Sequence, residues 1–555
     1  MEGSTQEVEG VRVAFEGCGH GTLDAIYASV AASSKMRKWD GVDLLIIGGD
    51  FQATRNAADL SVMSVPAKYR QLADFPAYYS GEKKAPYLTI FIGGNHEASA
   101  YLWELYYGGW VAPNMYYMGA ANVLRFGPLR IAGMSGIWKG FDYQKPHHER
   151  LPFSQDDIKS FYHVRQIDVH KLLLVREQVD IGLSHDWPRG IEKHGDSNAL
   201  WKMKPDFKKD SFEGKLGNLA AKYVMDRLRP AYWLSAHLHC KFVAVKTYEA
   251  PQNNMEKLAE GETKPAEAQE VAPVVEQNPD EIDLDLDENE AGRSMADDEI
   301  VKVNSINQPA PPSNGISSGQ VSDELRAQLP SSFEKPRPRE PKINPGQPVP
   351  PTITNTCTRF LALDKCVPKR NFIQLFSAVP VDPAQLTDFP PSADSKRRYH
   401  LQYDAEWLAI TRVFSKYLTI GDRAAQAPPD LGEDVYVPVI NAERQWVEDQ
   451  IVRQNKLDVP ENFAITAPPH KPGIDPKVVP YQPDEYTNPQ TAAFCELVGV
   501  PNLWDASSEE REERKKQGPP PEEQKSHGSR RDGGGGGWRG GRGGYRGGNR
   551  GGWNK

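Results

Sequence analysis

The sequence predicts an α/β protein whose sheet edges carry the functional side chains. Two observations predict it. Short apolar runs of the kind that form buried strands recur along the chain, at Val11–Glu16, residues 42–47 and residues 87–92. Each run ends in glycine and is followed at once by residues able to bind a metal or move a proton. These are Gly17-Cys18-Gly19-His20, Gly48-Gly49-Asp50 and Gly93-Gly94-Asn95-His96-Glu97. Glycine lets the backbone turn sharply at the strand end, so these side chains arrive at the carboxyl edge of a sheet, where α/β folds place their sites.

The elements follow in order. Leu23–Met36 is rich in alanine and spaces Ile26 and Val30 for one helix face. Residues 101–117 are crowded with aromatics, which predicts a helix and turn packed on the core. Apolar residues 123–125 and 129–132 flank Phe126-Gly127-Pro128 and predict a hairpin. Residues 135–165 mix aromatic and basic side chains without a period: Trp138, Lys139, Phe141, Tyr143, Lys145, His147, His148, Arg150 and Arg165. Aromatic faces stack on bases and cations meet phosphates, so this reads as a loop for nucleic acid, against a plain surface loop with a few buried aromatics. Two more short strands, at 180–183 and 232–234, end in Ser184-His185-Asp186-Trp187 and Ser235-Ala236-His237-Leu238-His239. Just past a strand end, histidines two apart can converge on one centre.

Composition divides the rest. The chain has 555 residues, 39% hydrophobic, with a mean hydropathy of −0.61. That is polar for a wholly globular chain and predicts long disordered stretches. The formal charge of −9 is unevenly spread. Residues 251–350 are proline-rich and acidic (DEIDLDLDENE at 280–290) and predict a disordered linker. Its spaced aspartates do not make an EF-hand, because Glu288 stands where that loop needs glycine. Order resumes over 351–505, with strands at 358–366 and 372–376, an apolar strand or helix at 401–414 and a helix at 442–452, in a region whose predicted role is packing. Residues 506–555 read as a disordered tail of the RGG type, with Trp538, Tyr545 and Trp553 among arginines suited to non-specific RNA contact. Five scattered cysteines predict a reducing compartment without a disulfide framework. No apolar run reaches the ~18–20 residues of a membrane span, and the acidic start does not read as a signal peptide.

The strand-end residues together are Cys18, His20, Asp50, Asn95, His96, His185, His237 and His239. One carboxylate among several imidazoles suits a pair of divalent ions that clamp a phosphoryl group.

The blocks GCGHG, GGD, GGNHE, SHDWP and SAHLH resemble the calcineurin-like metallophosphoesterases. That superfamily normally opens with Asp-x-His; here Cys18 replaces the aspartate. With SGIWKGFDY, YHVRQIDV and TRFLALDKC, the chain is similar to the RNA lariat debranching enzymes over about residues 10–250 and 354–505. The resemblance implies a metallophosphoesterase β-sandwich flanked by helices (1–250), a C-terminal accessory domain (351–505) and a lariat recognition loop at 135–165. It implies that Cys18, His20, Asp50 and His239 surround one metal and that Asp50, Asn95, His185 and His237 hold the other. The ions would be Fe²⁺/Zn²⁺ or Mn²⁺, with the softer Cys18 favouring Zn or Fe. His96 would be the general acid, and Trp138, Lys139, Tyr143 and Arg165 would contact substrate. Adjacency adds Asp186 as a partner orienting His185. The implied substrate is branched intron RNA, the implied location the nucleus, with spliceosome-associated proteins as possible partners. A general phosphoesterase acting on ordinary 3′,5′ links and an RNA-binding adaptor on an inactive fold are the two rivals.

Overall fold

The computed structural model describes residues 10–249, 344–392 and 397–522. The acidic run at 280–290 and the RGG segment lie outside the described residues.

Two mixed sheets form the frame. The first has the order β12-β1-β2-β3-β5-β4, with β1 (Val11–Glu16), β2 (Leu44–Ile47), β3 (Thr89–Phe91), β4 (Gly109–Ala112), β5 (Met115–Tyr117) and β12 (Ile373–Ala378). The second runs β10-β11-β9-β8-β7-β6-β13, with β6 (Ala121–Phe126), β7 (Leu129–Met134), β8 (Ile181–Ser184), β9 (Tyr232–Ser235), β10 (Phe242–Thr247), β11 (Cys357–Ala362) and β13 (Leu401–Tyr403). Strands β1, β2, β3 and β5 are mutually parallel, as are β7, β8, β9 and β11. Their carboxyl ends therefore lie along common edges.

Alternation along β1 explains the layers. Val13 and Phe15 face the second sheet and share one core with Ile46, Ile90, Ile131, Ile181 and Trp233. Ala14, with Leu45, Ile47 and Phe91, faces the other way onto Ile26 and Val30 of helix Leu23–Met36. A strand covered on both faces reads as a continuous apolar run, which is the pattern that marked these strands as buried. The predicted hairpin is β6–β7, and residues 101–117 hold the end of helix Ser99–Trp103 and the β4–β5 pair.

The C-terminal region is accessory in sequence only. Its strand β11 lies between β9 and β10, pairing Phe360 with both Trp233 and Ala244. Strand β12 covers the edge of β1, pairing Phe376 with Val13. Strand β13 closes the far edge against β6, and helix Ala405–Ser415 follows it, so the segment 401–414 is a strand and a helix in succession. At that helix's start, Arg130 of β7 donates two hydrogen bonds to Asp404 at 2.7 Å and a third to Glu406 at 2.9 Å, all buried. Burial opposes ionisation of Asp404, but Arg130 outweighs it and holds the carboxyl below its usual range.

Two boundaries differ from expectation. Residues 344–349 are already part of the fold, since the Arg227 guanidinium donates to the carbonyls of Gly346 and Pro348 at 3.0 and 3.1 Å. The segment assigned wholly to a disordered tail begins with helix Ser508–Gln517, started by a Ser507/Glu510 capping box. That helix buries none of its own residues, so no apolar face announced it in the sequence.

Because β11 is an interior strand, a fragment ending at residue 249 leaves a missing rung between β9 and β10 and an uncovered β1. Such a fragment is expected to show no cooperative thermal unfolding. Co-expression with residues 344–522 should restore a soluble, cooperatively unfolding complex.

Candidate metal centre

The site is built where strand ends of the two sheets meet. From the first sheet, the loop after β1 carries Cys18 and His20, the loop after β2 carries Asp50, and the loop after β3 carries Asn95 and His96. From the second, His185 follows β8, and His237 and His239 follow β9.

The local backbone is unusual. His20, Asp50, His237 and His239 all have positive φ, from 42° to 60°. Each such non-glycine residue costs about 1–2 kcal/mol, and such residues cluster at functional sites. The glycines beside them are required by contact. A Cβ on Gly94 would meet Asp50 Oδ1 at 2.1 Å, and one on Gly49 would meet His185 Nδ1 at 2.2 Å.

Asp50 is the centre of the constellation. It is 1% exposed, and the backbone N–H of His96 donates to its Oδ1 at 2.9 Å. His185 Nε2 lies 3.3 Å from Oδ1, while His20 Nε2 and His96 Nδ1 lie 3.6 and 3.8 Å from Oδ2. On one side of Asp50, ligand atoms of Cys18, His20, Asp50 and His239 lie within 4.8 Å of one another. On the other, His185 Nε2 is 3.2 Å from Asn95 Oδ1, and the His185 and His237 rings are 5.0 Å apart. The two histidines after β9 therefore divide, one to each side. Cys18, Asp50, Asn95 and His185 form a buried floor; His20, His96, His237 and His239 are half-buried around the mouth.

The electrostatics fit cations. Burial opposes charge on Asp50, yet His185, His96 and His20 outweigh it and hold the carboxyl well below its usual range. Burial lowers His185 below the ordinary imidazole range, and burial with His20 pushes His239 down to about 2. Neutral imidazoles offer lone pairs. His185 donates from Nδ1 to the Gly48 carbonyl at 2.7 Å, which leaves Nε2 as the donor atom aimed at Asp50 and Asn95. Burial, then Asp50 and Glu16, raise the Cys18 thiol, whose Sγ accepts the His237 N–H at 3.2 Å. A bound cation would offset that repulsion and favour the thiolate. The donor set fits divalent ions of the borderline class.

Several positions depart from the sequence reading. Asp186 does not orient His185; its Oδ1 accepts the Trp187 N–H at 2.7 Å, and a backbone carbonyl holds the imidazole instead. Arg165, expected to contact substrate, is buried. It is 1% exposed, paired with Glu149 and donating to the carbonyls of Asp142 and Ser160, so it braces the loop from within. Trp138, Lys139 and Tyr143 are all half-buried, and Tyr143 packs on Trp138 with ring centroids 4.8 Å apart. Phe141, 56% exposed, is the loop's open aromatic face. Its place in an aromatic-basic run was visible, its exposure was not. Glu97 joins two ligand loops: its carboxylate accepts the N–H groups of Phe51, Gln52 and Gly94 at 2.8–2.9 Å. The Gln52 side-chain amide reaches His20 Nδ1 at 3.3 Å.

Comparison with known proteins places the chain in a family. Residues 11–241 match the calcineurin-like phosphoesterase family, and residues 355–503 match the C-terminal domain of lariat debranching enzymes. The chain is 37% identical over 490 residues to a lariat debranching enzyme of Schizosaccharomyces pombe, covering 88% of this chain and 96% of that one. It is 38% identical over 494 residues to one of Drosophila melanogaster, covering 88% and 78%. It is 35% identical over 496 residues to one of Homo sapiens, covering 89% and 70%. The chain belongs to the lariat debranching enzyme family. The family's two matched regions are the two halves that here share both sheets, and the ligand loops all fall in the phosphoesterase half. No helix of the described residues is long and apolar enough to cross a membrane.

The neutral histidines set a pH dependence. An unfolded histidine titrates near 6.5, whereas His239 in the metal-free fold is held down to about 2. Between those values the unfolded chain binds a proton that the folded chain refuses, so stability falls as pH drops below about 6.5. The melting temperature of metal-free protein is expected to fall from pH 7 to pH 5, and His239→Asn should flatten that slope.

Proposed function

We propose that this protein hydrolyses the 2′,5′-phosphodiester at the branch point of excised intron lariats, giving linear RNA. The carrying observation is His96. Its own backbone N–H fixes it to Asp50 at 2.9 Å, and its imidazole stands half-buried at the mouth of the ligand set. When bound, a pair of divalent ions neutralises phosphodiester charge and activates water for attack at phosphorus. Asp50 would be shared between the two ions. Cys18, His20 and His239 would hold one; Asn95, His185 and His237 the other. The thiol at Cys18 favours Fe²⁺ or Zn²⁺, with Mn²⁺ the alternative. His96 delivers a proton to the departing 2′-oxygen as the phosphorus–oxygen bond breaks. The branch nucleotide keeps a free 2′-hydroxyl, and the released arm keeps a 5′-phosphate.

The loop at 135–165 supports selection of the branch. It leaves the carboxyl end of β7, beside β8 and its His185, and presents Trp138, Lys139 and Phe141. An aromatic face and a cation beside a phosphodiester centre suit stacking of a base and contact with its phosphate. The RGG composition of residues 530–555 supports an added non-specific RNA contact, and an intron substrate implies nuclear location and encounters with spliceosome-associated proteins.

The test compares a synthetic branched RNA with its linear 3′,5′ counterpart, with Mn²⁺ or Fe²⁺ added. Selective release of the 2′-linked arm is expected; equal cleavage of both would make this a general nuclease. His96→Ala should lower turnover at least ~100-fold, the usual weight of a general acid, while bound metal stays unchanged. Loss of metal in that variant would overturn the role given to His96.

A further inference from the structure

The loop at 135–165 is gripped from outside at its return leg, and the grip comes from the far C-terminal region. Gln482 brackets Phe153: its side-chain carbonyl accepts the Phe153 N–H at 2.8 Å and its amide donates to the Phe153 carbonyl at 2.7 Å. Three residues before Phe153 in the same leg of the loop, Arg150 forks onto Glu485, Nε to Oε2 at 3.2 Å and Nη2 to Oε1 at 3.0 Å. The same guanidinium donates to the Asp505 carbonyl at 3.4 Å. Glu485 is a hub, its side chain 4% exposed, with Arg514 at 2.7 Å and Arg511 at 3.6 Å from its Oε1. Those two arginines sit on helix Ser508–Gln517, which buries no residue of its own and is held through such ion pairs. One step further along the loop, Arg423 reaches Asp157 and the Ser154 hydroxyl, the two residues that cap helix Gln155–Ser160.

None of these C-terminal groups is a metal ligand, and every ligand lies between residues 18 and 239. The contacts fix residues 150–157, whereas half-buried Trp138 and Lys139 and exposed Phe141 lie on the outgoing leg at 138–141. Arg165 pairs with Glu149 on the return leg and donates to the Asp142 carbonyl at 2.7 Å beside the outgoing leg, with the Glu149 carboxyl held down to about 2 because Arg165 outweighs the burial that opposes its charge. These contacts join the return leg to the residues beside 138–141.

The geometry points to Gln482 and Glu485 as positioning residues for substrate choice: they set the register of the recognition loop and so its preference for branched RNA, without acting on the chemistry at the metal centre. This rests on the loop reading in the proposed function. A charge-assisted, bidentate contact is a strong tether with fixed geometry, and supporting contacts of this kind decide whether a site is held tightly enough to discriminate.

The experiment measures steady-state kinetics of the full chain on two substrates, a branched RNA and bis(p-nitrophenyl) phosphate, a small phosphodiester that needs the metal centre and no loop. Gln482→Ala and Glu485→Gln are each expected to raise KM for branched RNA about tenfold with kcat nearly unchanged, the signature of lost binding rather than lost chemistry. Both should leave hydrolysis of the small phosphodiester and bound metal at wild-type levels, and Glu485→Asp should recover part of the RNA affinity. Equal loss on both substrates would mean a general structural role and overturn the proposal, as would unchanged KM in both variants. If Glu485→Gln does not fold, Gln482→Ala, which removes no charge, decides alone. If the wild-type protein itself cleaves branched and linear RNA equally, the proposed function fails and this inference with it; if the wild type discriminates and the variants do so equally well, only this inference fails.

Discussion

One buried carboxylate organises the molecule. Asp50 lies where the strand ends of two sheets meet, and three histidines approach its two oxygens from loops of both sheets. Stripping a carboxylate of water is costly unless positive charge or hydrogen bonds replace it. Here the backbone N–H of His96 is one replacement, and cations would be the stronger one. The left-handed backbone at His20, Asp50, His237 and His239 follows from this demand. Side chains at the ends of straight strands would point apart, and a sharp turn after each strand brings them together. The fold carries that strain because the strands beneath are buried on both faces.

The C-terminal half matters for the same reason. Strand β11 continues into residues 363–366, whose backbone lies against the first ligand loop: the Cys18 N–H donates to the Asp364 carbonyl at 3.4 Å, and the Cys366 N–H to the Cys18 carbonyl at 3.3 Å. A Cβ on Gly17 would strike the Asp364 carbonyl at 2.2 Å, so the glycine before Cys18 is set by this packing as much as by the turn. A region without catalytic residues thus shapes the ligand loops from behind and braces the recognition loop from the side.

How much was legible in the sequence follows from the range of each interaction. The ligand loops were readable because an apolar strand followed at once by glycine or serine and a histidine, aspartate or asparagine is a local pattern, and so was helix Leu23–Met36. Strand partners were not. Nothing local in residues 357–362 states that they lie between β9 and β10, because that pairing spans more than 100 residues of chain. The partner of His185 is a backbone carbonyl, which every residue possesses, so adjacency pointed wrongly to Asp186. Arg165 looked like a phosphate contact because its charge is visible in sequence and its burial against Glu149 is not. Phe141 and Tyr143 are both aromatics of one loop, and only packing decides that the first is open and the second half-buried against Trp138.

The central claim is that Asp50 is shared between two ion positions, and counting bound ions tests it most directly. Calorimetric titration of metal-free protein with Mn²⁺, alongside Asp50→Asn, reads stoichiometry without requiring turnover. Two ions per chain are expected for the wild type and loss of tight binding at both positions in the variant, since one carboxylate serves both. Two ions bound with undiminished affinity in Asp50→Asn would contradict it.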